Sequence, residues 1–344
     1  MKKIIVSIIV VSTLILFSIV NNDIETRPNW NDESDLFEVL HAFGEPNPKH
    51  KENFSEEQVR MGKEFIYEGR ARKSNGKLSK RISKYYECTT CHNQVQEDPD
   101  LRFSNPDTRL SFVKKKGIPF LQGTTFKGIV NRETWYNDDY IRKYGEEAIG
   151  KAHNSLKEAI QLCAIECSQG RPMKDWELDA VMAYYWSIGF ELKDLDLSES
   201  DYLKLNSFQK EGNNKAAITW LKSFYLQKSP AHFFDAPPSK WDGYKEFKGD
   251  VNRGKDLYEI SCLHCHHQDG VSHYVLGDDI LSFKDIKRTM FKNSHFSLYQ
   301  IIPYGTYAIP GHRPYMPHYP LERMSKQQVE DLRSYIEYRT NNKL

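Results

Sequence analysis

Two short runs in this chain carry the residue types that attach an iron porphyrin to a protein. Each reads Cys-x-x-Cys-His, the first at residues 88–92 and the second at residues 262–266. Two thiols three positions apart can bond to the two vinyl groups of one haem, and the adjacent histidine can then bind the iron as its proximal ligand. The sequence therefore predicts two covalently attached haem c groups. The expected attachment and proximal residues are Cys88, Cys91, His92, Cys262, Cys265 and His266.

A Cys-x-x-Cys pair also supplies half of many zinc sites and occurs in thioredoxin-like redox motifs. Zinc ribbons place their two halves within about 15 to 20 residues of each other. Cys91 and Cys262 lie much farther apart, and neither run has a second cysteine pair nearby. A redox motif would need a βαβ pattern around it, and the sequence shows none. Haem attachment is therefore the better supported interpretation of both runs.

Length and composition agree with this interpretation. A chain of 344 residues corresponds to about two domains of ordinary size, which is one for each haem. The formal net charge is +1 and hydrophobic residues make up 39% of the chain. We therefore expect a soluble globular protein that does not bind nucleic acid. Bound haem would add apolar surface to its core, and the propionates would make the holoprotein more acidic.

The chain begins with a positively charged start followed by an apolar run, which is the pattern of an export signal. About 20 apolar residues span a bilayer, and no small-x-small cleavage site follows the run, so an uncleaved anchor stays open as an alternative. Residues 1–20 are thus predicted to be a signal peptide or a membrane anchor, and the polar residues 21–54 a tether. Because c-type haem is attached to exported chains, we expect a periplasmic protein.

An internal repeat precedes the two haem runs. Residues 61–65 read Met-Gly-Lys-Glu-Phe and residues 253–257 read Arg-Gly-Lys-Asp-Leu, with Gly62 and Gly254 in the same register. At these residues the chain resembles the cytochrome c family, in which this glycine lets the closing helix cross the first helix closely. The resemblance implies an all-α fold with two cytochrome c-like domains joined by a partly helical linker. The predicted bounds are 55–190 for the first domain, 191–249 for the linker and 250–344 for the second domain.

The first domain is expected to begin with a helix that is capped by Ser55, since Ser-x-x-Gln is a capping-box pattern. An insertion, Glu68 to Tyr86, separates that helix from the first haem run. Such a charged stretch forms either a solvated loop or a docking surface for an acidic redox partner, because basic patches steer charged partners. Its basic residues are Arg70, Arg72, Lys73, Lys77, Lys80, Arg81 and Lys84.

Three residues compete for the sixth coordination position of the first haem, and an open position is a further alternative. Met173 follows a proline and precedes the predicted closing helix at Asp175, where cytochromes c commonly place an axial methionine. Cys163 and Cys167 lie one helical turn apart, and they could instead form a disulfide or be small buried hydrophobes.

The segment around Cys163 resembles the thiosulfate dehydrogenase family and the related dihaem sulfur-oxidation cytochromes. Those proteins carry a cysteine, six further residues and then Gly-Arg, which Gly170 and Arg171 match. The resemblance implies that Cys163 is the axial ligand of an active-site haem. The chain departs from the family at Glu166, where an arginine is usual, and at Cys167, where a serine is usual. The resemblance therefore supports the haem environment more than the substrate.

The second haem has a simpler expected ligand set. Met316 is bracketed by prolines that fix its loop, and it is the predicted axial ligand. Met324 is the alternative, but Ser325 and Gln328 form a capping-box pattern that makes Met324 part of a hydrophobic staple. The remaining histidines of the region are assigned no role. They are His264, His267, His273, His312 and His318.

Two haems in adjacent domains predict a periplasmic dihaem cytochrome that transfers electrons one at a time. The first haem could oxidise a small sulfur anion such as thiosulfate, with Cys163 on the iron. The alternative is a non-catalytic electron carrier or an electron-delivering subunit of a larger redox complex. The run Trp241-Asp242-Gly243 resembles a signature of dihaem peroxidases, but it precedes the second haem run and lacks the arginine, so a peroxidase is less well supported.

Overall fold

A computed structural model describes residues 30–48, 53–290, 296–306 and 315–341 of the chain. These residues form helices and loops without a β-strand, so the all-α prediction is confirmed. The predicted signal peptide or anchor at residues 1–20 lies outside the described residues, as does His312. None of the helices described is long and apolar enough to cross a bilayer.

The helices of the described part are numbered here in chain order. They are α1 (Leu36–Ala42), α2 (Glu56–Glu68), α3 (Pro106–Lys116), α4 (Ile141–Tyr144), α5 (Glu146–Asn154), α6 (Leu156–Leu162), α7 (Asp175–Ser187), α8 (Glu199–Glu211), α9 (Asn214–Lys222), α10 (Val251–Leu257), α11 (Leu263–His266), α12 (Ile280–Met290), α13 (Leu298–Tyr304) and α14 (Lys326–Asn341). Short 3₁₀ turns lie at Cys88–Thr90, Ile129–Asn131, Asp138–Tyr140 and Leu192–Leu195, and π-turns at Cys163–Cys167 and Tyr258–Cys262.

Helices α2 and α7 cross at Gly62 and form the centre of the first half of the chain, which corresponds to the first predicted domain, 55–190. The predicted capping box at the start of α2 is present, since the Gln58 N–H donates to Ser55 Oγ and the Ser55 N–H donates to Gln58 Oε1. A Cβ atom on Gly62 would lie only 1.9 Å from the carbonyl oxygen of Ala180 in α7. Only glycine therefore allows the two backbones to approach this closely.

Helices α10 and α14 repeat this crossing in the second half. A Cβ atom on Gly254 would lie 2.0 Å from the carbonyl oxygen of Asp331. The capping box predicted for α14 is also present, since the Gln328 N–H donates to Ser325 Oγ at 3.2 Å and the Ser325 N–H donates to Gln328 Oε1 at 3.1 Å. The internal repeat read from the two glycines thus corresponds to two equivalent helix crossings.

The predicted tether contains a packed helix, and this corrects the prediction for residues 30–48. Helix α1 places Leu36, Val39 and Leu40 in a small core with residues of α8 and α9. The Glu38 N–H donates to the Asp35 side chain at 3.1 Å and so caps the helix. Apolar residues at helical spacing outweigh the polar composition of the stretch, because burying them is favourable.

Helix α3 lies between the two haem runs in sequence, but it packs on the second half. Leu110 and Val113 are buried in the same core as residues of α10, α12 and α14. Lys114 Nζ pairs with the Asp256 carboxylate at 2.6 Å on the outside of this contact. The first predicted domain, 55–190, therefore supplies part of the second domain's core, and the two halves share packing across the predicted boundary.

A buried ion pair also joins the halves. The guanidinium of Arg323 bonds to both carboxylate oxygens of Glu97 at 2.6 and 2.9 Å, and both side chains are almost fully buried. Arg323 also donates to the carbonyl of Leu121. Its own carbonyl accepts a hydrogen bond from Arg109. This network fixes the loop that follows the first haem run against the start of α14.

Candidate haem-binding cavities

Two cavities in the structure collect the residues predicted to hold haem. The first has a volume of about 220 Å³ and the second about 160 Å³. The predicted residues that line the first are Cys88, Cys91, His92, Cys163, Cys167 and Met173. Those that line the second are Cys262, Cys265, His266 and Met316. The fold thus brings each attachment run and its candidate sixth ligands to one cavity.

The two histidines predicted to be proximal ligands are held in the same way. Nδ1 of His92 lies 2.6 Å from the carbonyl oxygen of Thr124, and Nδ1 of His266 lies 2.6 Å from that of Tyr274. A carbonyl can only accept, so Nδ1 carries the hydrogen and Nε2 is left to bind iron. Burial lowers the pKa of both imidazoles, which keeps them neutral, as metal ligation requires.

Phe126 and Gly123 contact the imidazole of His92 and fix the plane of its ring. Phe126 stacks on the imidazole with ring centroids 4.4 Å apart. The backbone of Gly123 also lies against the ring. A Cβ atom on Gly123 would lie 2.6 Å from the imidazole and 2.5 Å from the carbonyl oxygen of Cys91. A larger residue at this position would displace the histidine. Both contacts therefore preorganise the ring as a ligand.

The attachment thiols lie in apolar surroundings that suit thioether formation better than zinc binding. Burial raises the pKa of Cys88 and of Cys262 to about 12 and that of Cys265 to about 11, and it also raises the pKa of Cys91. A buried apolar environment disfavours the thiolate form, and zinc binds thiolates. Within the part of the chain that the structure describes, no three His, Cys, Asp or Glu side chains converge on a metal-sized site.

Cys163 and Cys167 lie on a π-turn that extends α6. The Ser168 N–H donates to the carbonyl of Cys163 at 2.9 Å, which is one residue farther than an α-helical bond. The interaction between the two thiols raises the pKa of Cys163 and lowers that of Cys167 to about 6. The hydroxyl of Tyr144, 3.4 Å from Cys167 Sγ, contributes to the lower pKa, as does the nearby Lys143.

Met173 is held beside these cysteines by α6. Its N–H donates to Gln161 Oε1 at 2.8 Å, and Gln161 Nε2 donates to its carbonyl at 3.1 Å. Met173 is buried, and it precedes α7, as the sequence predicts. All three candidate sixth ligands of the first haem therefore face one cavity.

The Gly-Arg part of the motif has a structural role. A Cβ atom on Gly170 would lie 2.5 Å from the carbonyl oxygen of Ile82. The guanidinium of Arg171 pairs with both oxygens of Glu177 at 2.7 Å and donates to the carbonyls of Lys80 and Arg81. Arg171 is not among the residues that line the first cavity. These contacts fasten the basic insertion to the start of α7.

Sequence reasoning missed two polar residues of the first cavity, Lys143 and His318. Lys143 Nζ donates to Nδ1 of His318 at 2.8 Å, so Nε2 of His318 carries the hydrogen and is a donor. That atom is buried and has no hydrogen-bond partner among the described residues. Burial lowers the pKa of His318 to about 3 and lowers that of Lys143 as well. The two residues are distant in sequence, so no local pattern could have linked them.

Met316 is fixed by its neighbours at the second cavity. Its N–H donates to Thr306 Oγ1 at 2.7 Å, and the Thr306 N–H donates to its carbonyl at 2.8 Å. Gly305 has a φ of +69°, and a Cβ atom there would lie 2.5 Å from the Met316 carbonyl oxygen. Met324 also borders this cavity, but it is almost fully buried in the core beside the capped start of α14.

Comparison with known proteins bears on the second half. Residues 249–336 match the model of a family described as cytochrome C oxidase, cbb3-type, subunit III. This stretch contains the second attachment run and Met316. It is a c-type cytochrome domain. Such a domain binds haem c covalently and serves haem-based electron transfer. Searches of curated proteins and of solved structures found no significant match.

The c-type cytochrome domain also contributes to the first cavity. Tyr315, Pro317, His318 and Arg323 of this domain line it. Tyr86, Gln122, Tyr315 and Pro317 line both cavities. Thr90 of the first run lines the second cavity together with Cys265 of the second run. A layer about one side chain thick therefore separates the two cavities.

Proposed function

We propose that this chain is a periplasmic dihaem c-type cytochrome that passes electrons between two covalently bound haems. The observation that carries the proposal is the wall of four residues that the two cavities share. Each haem, when bound, supplies a one-electron redox centre. The residues of the wall exclude water from the space between the centres and hold them at a fixed separation.

The protein's side chains set the properties of the two centres. His92 and His266 are the proximal ligands, and Met316 is the sixth ligand of the second haem. Cys163 is the sixth ligand of the first, with Met173 as the alternative. A thiolate ligand lowers the haem potential relative to methionine, and a coordinating thiol is deprotonated outright. We therefore expect two well-separated potentials, with the lower one at the first haem.

Intact mass and a redox titration of the purified protein test the haem count and the potentials. Electron paramagnetic resonance of Cys163→Ala tests the sixth ligand, with Met173→Ala as the matched variant. Loss of one low-spin signal in Cys163→Ala alone supports thiolate ligation. If the signals change only in Met173→Ala, methionine is the ligand. A protein that carries a single haem would contradict the dihaem proposal.

Oxidation of a small sulfur anion at the first haem is the catalytic form of this proposal. Cys163 shares the first cavity with the ammonium of Lys143 and the free N–H donor of His318. These groups can hold an anion of the size of thiosulfate in a site with little water. They also compensate for Glu166, which stands where the resembled family has a cation.

Stopped-flow mixing of the oxidised protein with thiosulfate tests this activity. We expect haem reduction in the wild type and at least a tenfold slower reduction in Lys143→Met. Lys151→Met is the matched control, because Lys151 is exposed on α5 and pairs with Glu147 on the same helix. If thiosulfate does not reduce the wild-type haems above background, the proposed oxidation of a sulfur anion is wrong.

An electron carrier, or a subunit that delivers electrons to a larger complex, is the second candidate. The description of the matching family names an oxidase subunit, and this favours such a role for residues 249–336. An acidic partner could dock on the basic insertion between Arg70 and Lys84. Residues 1–20 would then either direct export or anchor the protein at the membrane.

A further inference from the structure

We propose that Cys163 and Cys167 form a third redox centre, a dithiol that is oxidised reversibly to a disulfide inside the first cavity. Both thiols line this cavity together with Cys88 and Cys91, and the hydroxyls of Tyr136 and Tyr144 contact Cys167 there. Both are free thiols in the structure. The inference rests on the proposed function, because the electrons released would enter the two covalently bound haems.

The spacing of the two cysteines permits a disulfide but makes it strained. Four residues along a helix at about 1.5 Å each place the Cα atoms about 6 Å apart, which a disulfide can bridge. The Cβ atoms of such neighbours are about 5 to 6 Å apart, whereas a relaxed disulfide needs roughly 4 Å. Strained disulfides are more easily reduced, so they are the reversible and catalytic ones.

The backbone around the pair is irregular in a way that allows the cysteines to approach. The π-turn interrupts the α-helical bonding at Cys163, and such turns are frequent at functional sites. Gln169, just after the turn, has a φ of +52°. Its buried side-chain amide has no hydrogen-bond partner in the described ranges. A strained backbone of this kind persists only where the surrounding packing enforces it, and this is common at functional sites.

Polar groups hold Cys167 in the first cavity. The hydroxyls of Tyr144 and Tyr136 lie 3.4 and 3.9 Å from Cys167 Sγ. Lys143 lines the same cavity. The sulfur of Cys167 is therefore positioned in the cavity that also contains Cys163, its partner in the disulfide.

The step balances with two electrons. As the S–S bond forms, the sulfurs of Cys163 and Cys167 lose two electrons and any protons that they still carry, and two ferric haems, when bound, would accept one electron each. The protons pass to solvent. With its sulfur in the disulfide, Cys163 is no longer a thiolate ligand, and Met173 remains in the same cavity. The pair thus stores two electrons and sets the ligand of the first haem.

A coulometric oxidation of the full-length holoprotein tests this centre. The protein is fully reduced without oxygen, freed of reductant and titrated with ferricyanide. The wild type should release two more electrons than Cys167→Ser, which keeps a polar side chain of similar size. Samples taken before and after oxidation are alkylated and mapped by mass spectrometry. The oxidised segment 163–167 should escape alkylation and be lighter by two hydrogen atoms.

Equal electron counts for the two proteins, with both cysteines still alkylated after oxidation, would overturn the dithiol centre. Intact mass gives the number of covalently bound haems independently. A protein that forms the disulfide but carries only one haem would contradict the proposed function and still support the dithiol centre. A disulfide that appears only together with loss of a low-spin haem signal would show that the pair controls ligation of the first haem.

Discussion

The hydroxyl of Tyr86 donates a hydrogen bond to the backbone carbonyl of Tyr315. Tyr86 comes from the end of the basic insertion, whereas Tyr315 precedes Met316, the proposed ligand of the second haem. Both residues line both cavities. This bond therefore connects the first attachment site to the loop that serves the second.

Replacing Tyr86 by phenylalanine tests the strength of this connection. The variant leaves a buried carbonyl unpaired, which costs about 1 to 3 kcal/mol of unfolding free energy. We also expect a shifted potential of the second haem, since the Met316 loop loses a fixed contact. Urea denaturation and a redox titration measure the two effects. Tyr202→Phe removes a bond to exposed Asp32 and should change neither quantity substantially.

The two glycine crossings should be equally intolerant of a side chain. Gly62→Ala and Gly254→Ala each force a methyl group against a carbonyl oxygen, and each should destabilise the fold by about 3 kcal/mol. Gly150 is the matched control, because it lies in α5 and a Cβ atom there would meet nothing within 4 Å. Gly150→Ala should instead stabilise by about 0.5 to 1 kcal/mol. Thermal unfolding of the three variants measures these values. A loss of stability in Gly150→Ala as large as that in Gly62→Ala and Gly254→Ala would contradict the crossing geometry.

The buried pair of Arg323 and Glu97 should contribute more than any surface pair. Arg323→Met leaves the Glu97 carboxylate buried without its partner, which costs about 3 to 5 kcal/mol. Lys151→Met removes an exposed pair and should cost at most about 0.5 kcal/mol. Chemical denaturation gives both numbers. A small effect of Arg323→Met would mean that water reaches the network.

Asp98 should make stability fall as the pH rises. Burial raises the pKa of its carboxyl to about 7, whereas an unfolded aspartate titrates near 4. Between these values the folded protein holds a proton that the unfolded chain has released, so the free energy of unfolding decreases with pH. Arg323 and Arg132 oppose this shift and Glu97 adds to it.

The Asp98→Asn variant isolates that contribution. From pH 4 to pH 7 the wild type should lose about 3 to 4 kcal/mol relative to the variant, and the difference should level off above pH 7. Urea denaturation at a series of pH values measures the slope. A difference that does not depend on pH would mean that Asp98 is solvated in the folded protein.

The basic insertion should make electron exchange with acidic proteins depend on salt. Lys77 and Lys80 are exposed on it, and exposed charges are screened beyond about 10 Å at 0.1 M salt. With flavodoxin as an acidic probe, the rate should fall as salt is added, and Lys77→Glu/Lys80→Glu should weaken that dependence. The variant Lys210→Glu/Lys215→Glu is the control, because it makes the same change of charge outside the insertion. A flat salt dependence in the wild type would leave the insertion as a solvated loop.

The features that are local in sequence could be predicted from it. The attachment runs, the register of Gly62 and Gly254 and the capping box at Ser55 each depend on residues within a few positions of each other. Their structural consequences are helix starts, helix crossings and a cavity at each haem run. Short-range patterns of this kind have direct physical causes, so the local structure that they predict is found in the fold.

The features that depend on distant residues could not be predicted. Arg171 matches a haem-site motif, yet it pairs with Glu177 and two carbonyls of the insertion because the insertion folds back on it. His318 had no assigned role, and only the fold places it beside Lys143. Helix α3 packs on the second half, where Leu110 and Val113 join a core built from residues far along the chain. Such contacts leave no periodic signal.

The composition of the first cavity's wall constrains the order in which the protein can mature. The first attachment run is synthesised roughly 10 to 50 s before Tyr315, His318 and Arg323, which line its cavity. A nascent chain truncated before Tyr315 would have both attachment runs and an incomplete first pocket. Both cavities are thus completed only when the carboxy-terminal residues have been made, although Cys88, Cys91 and His92 are made long before them.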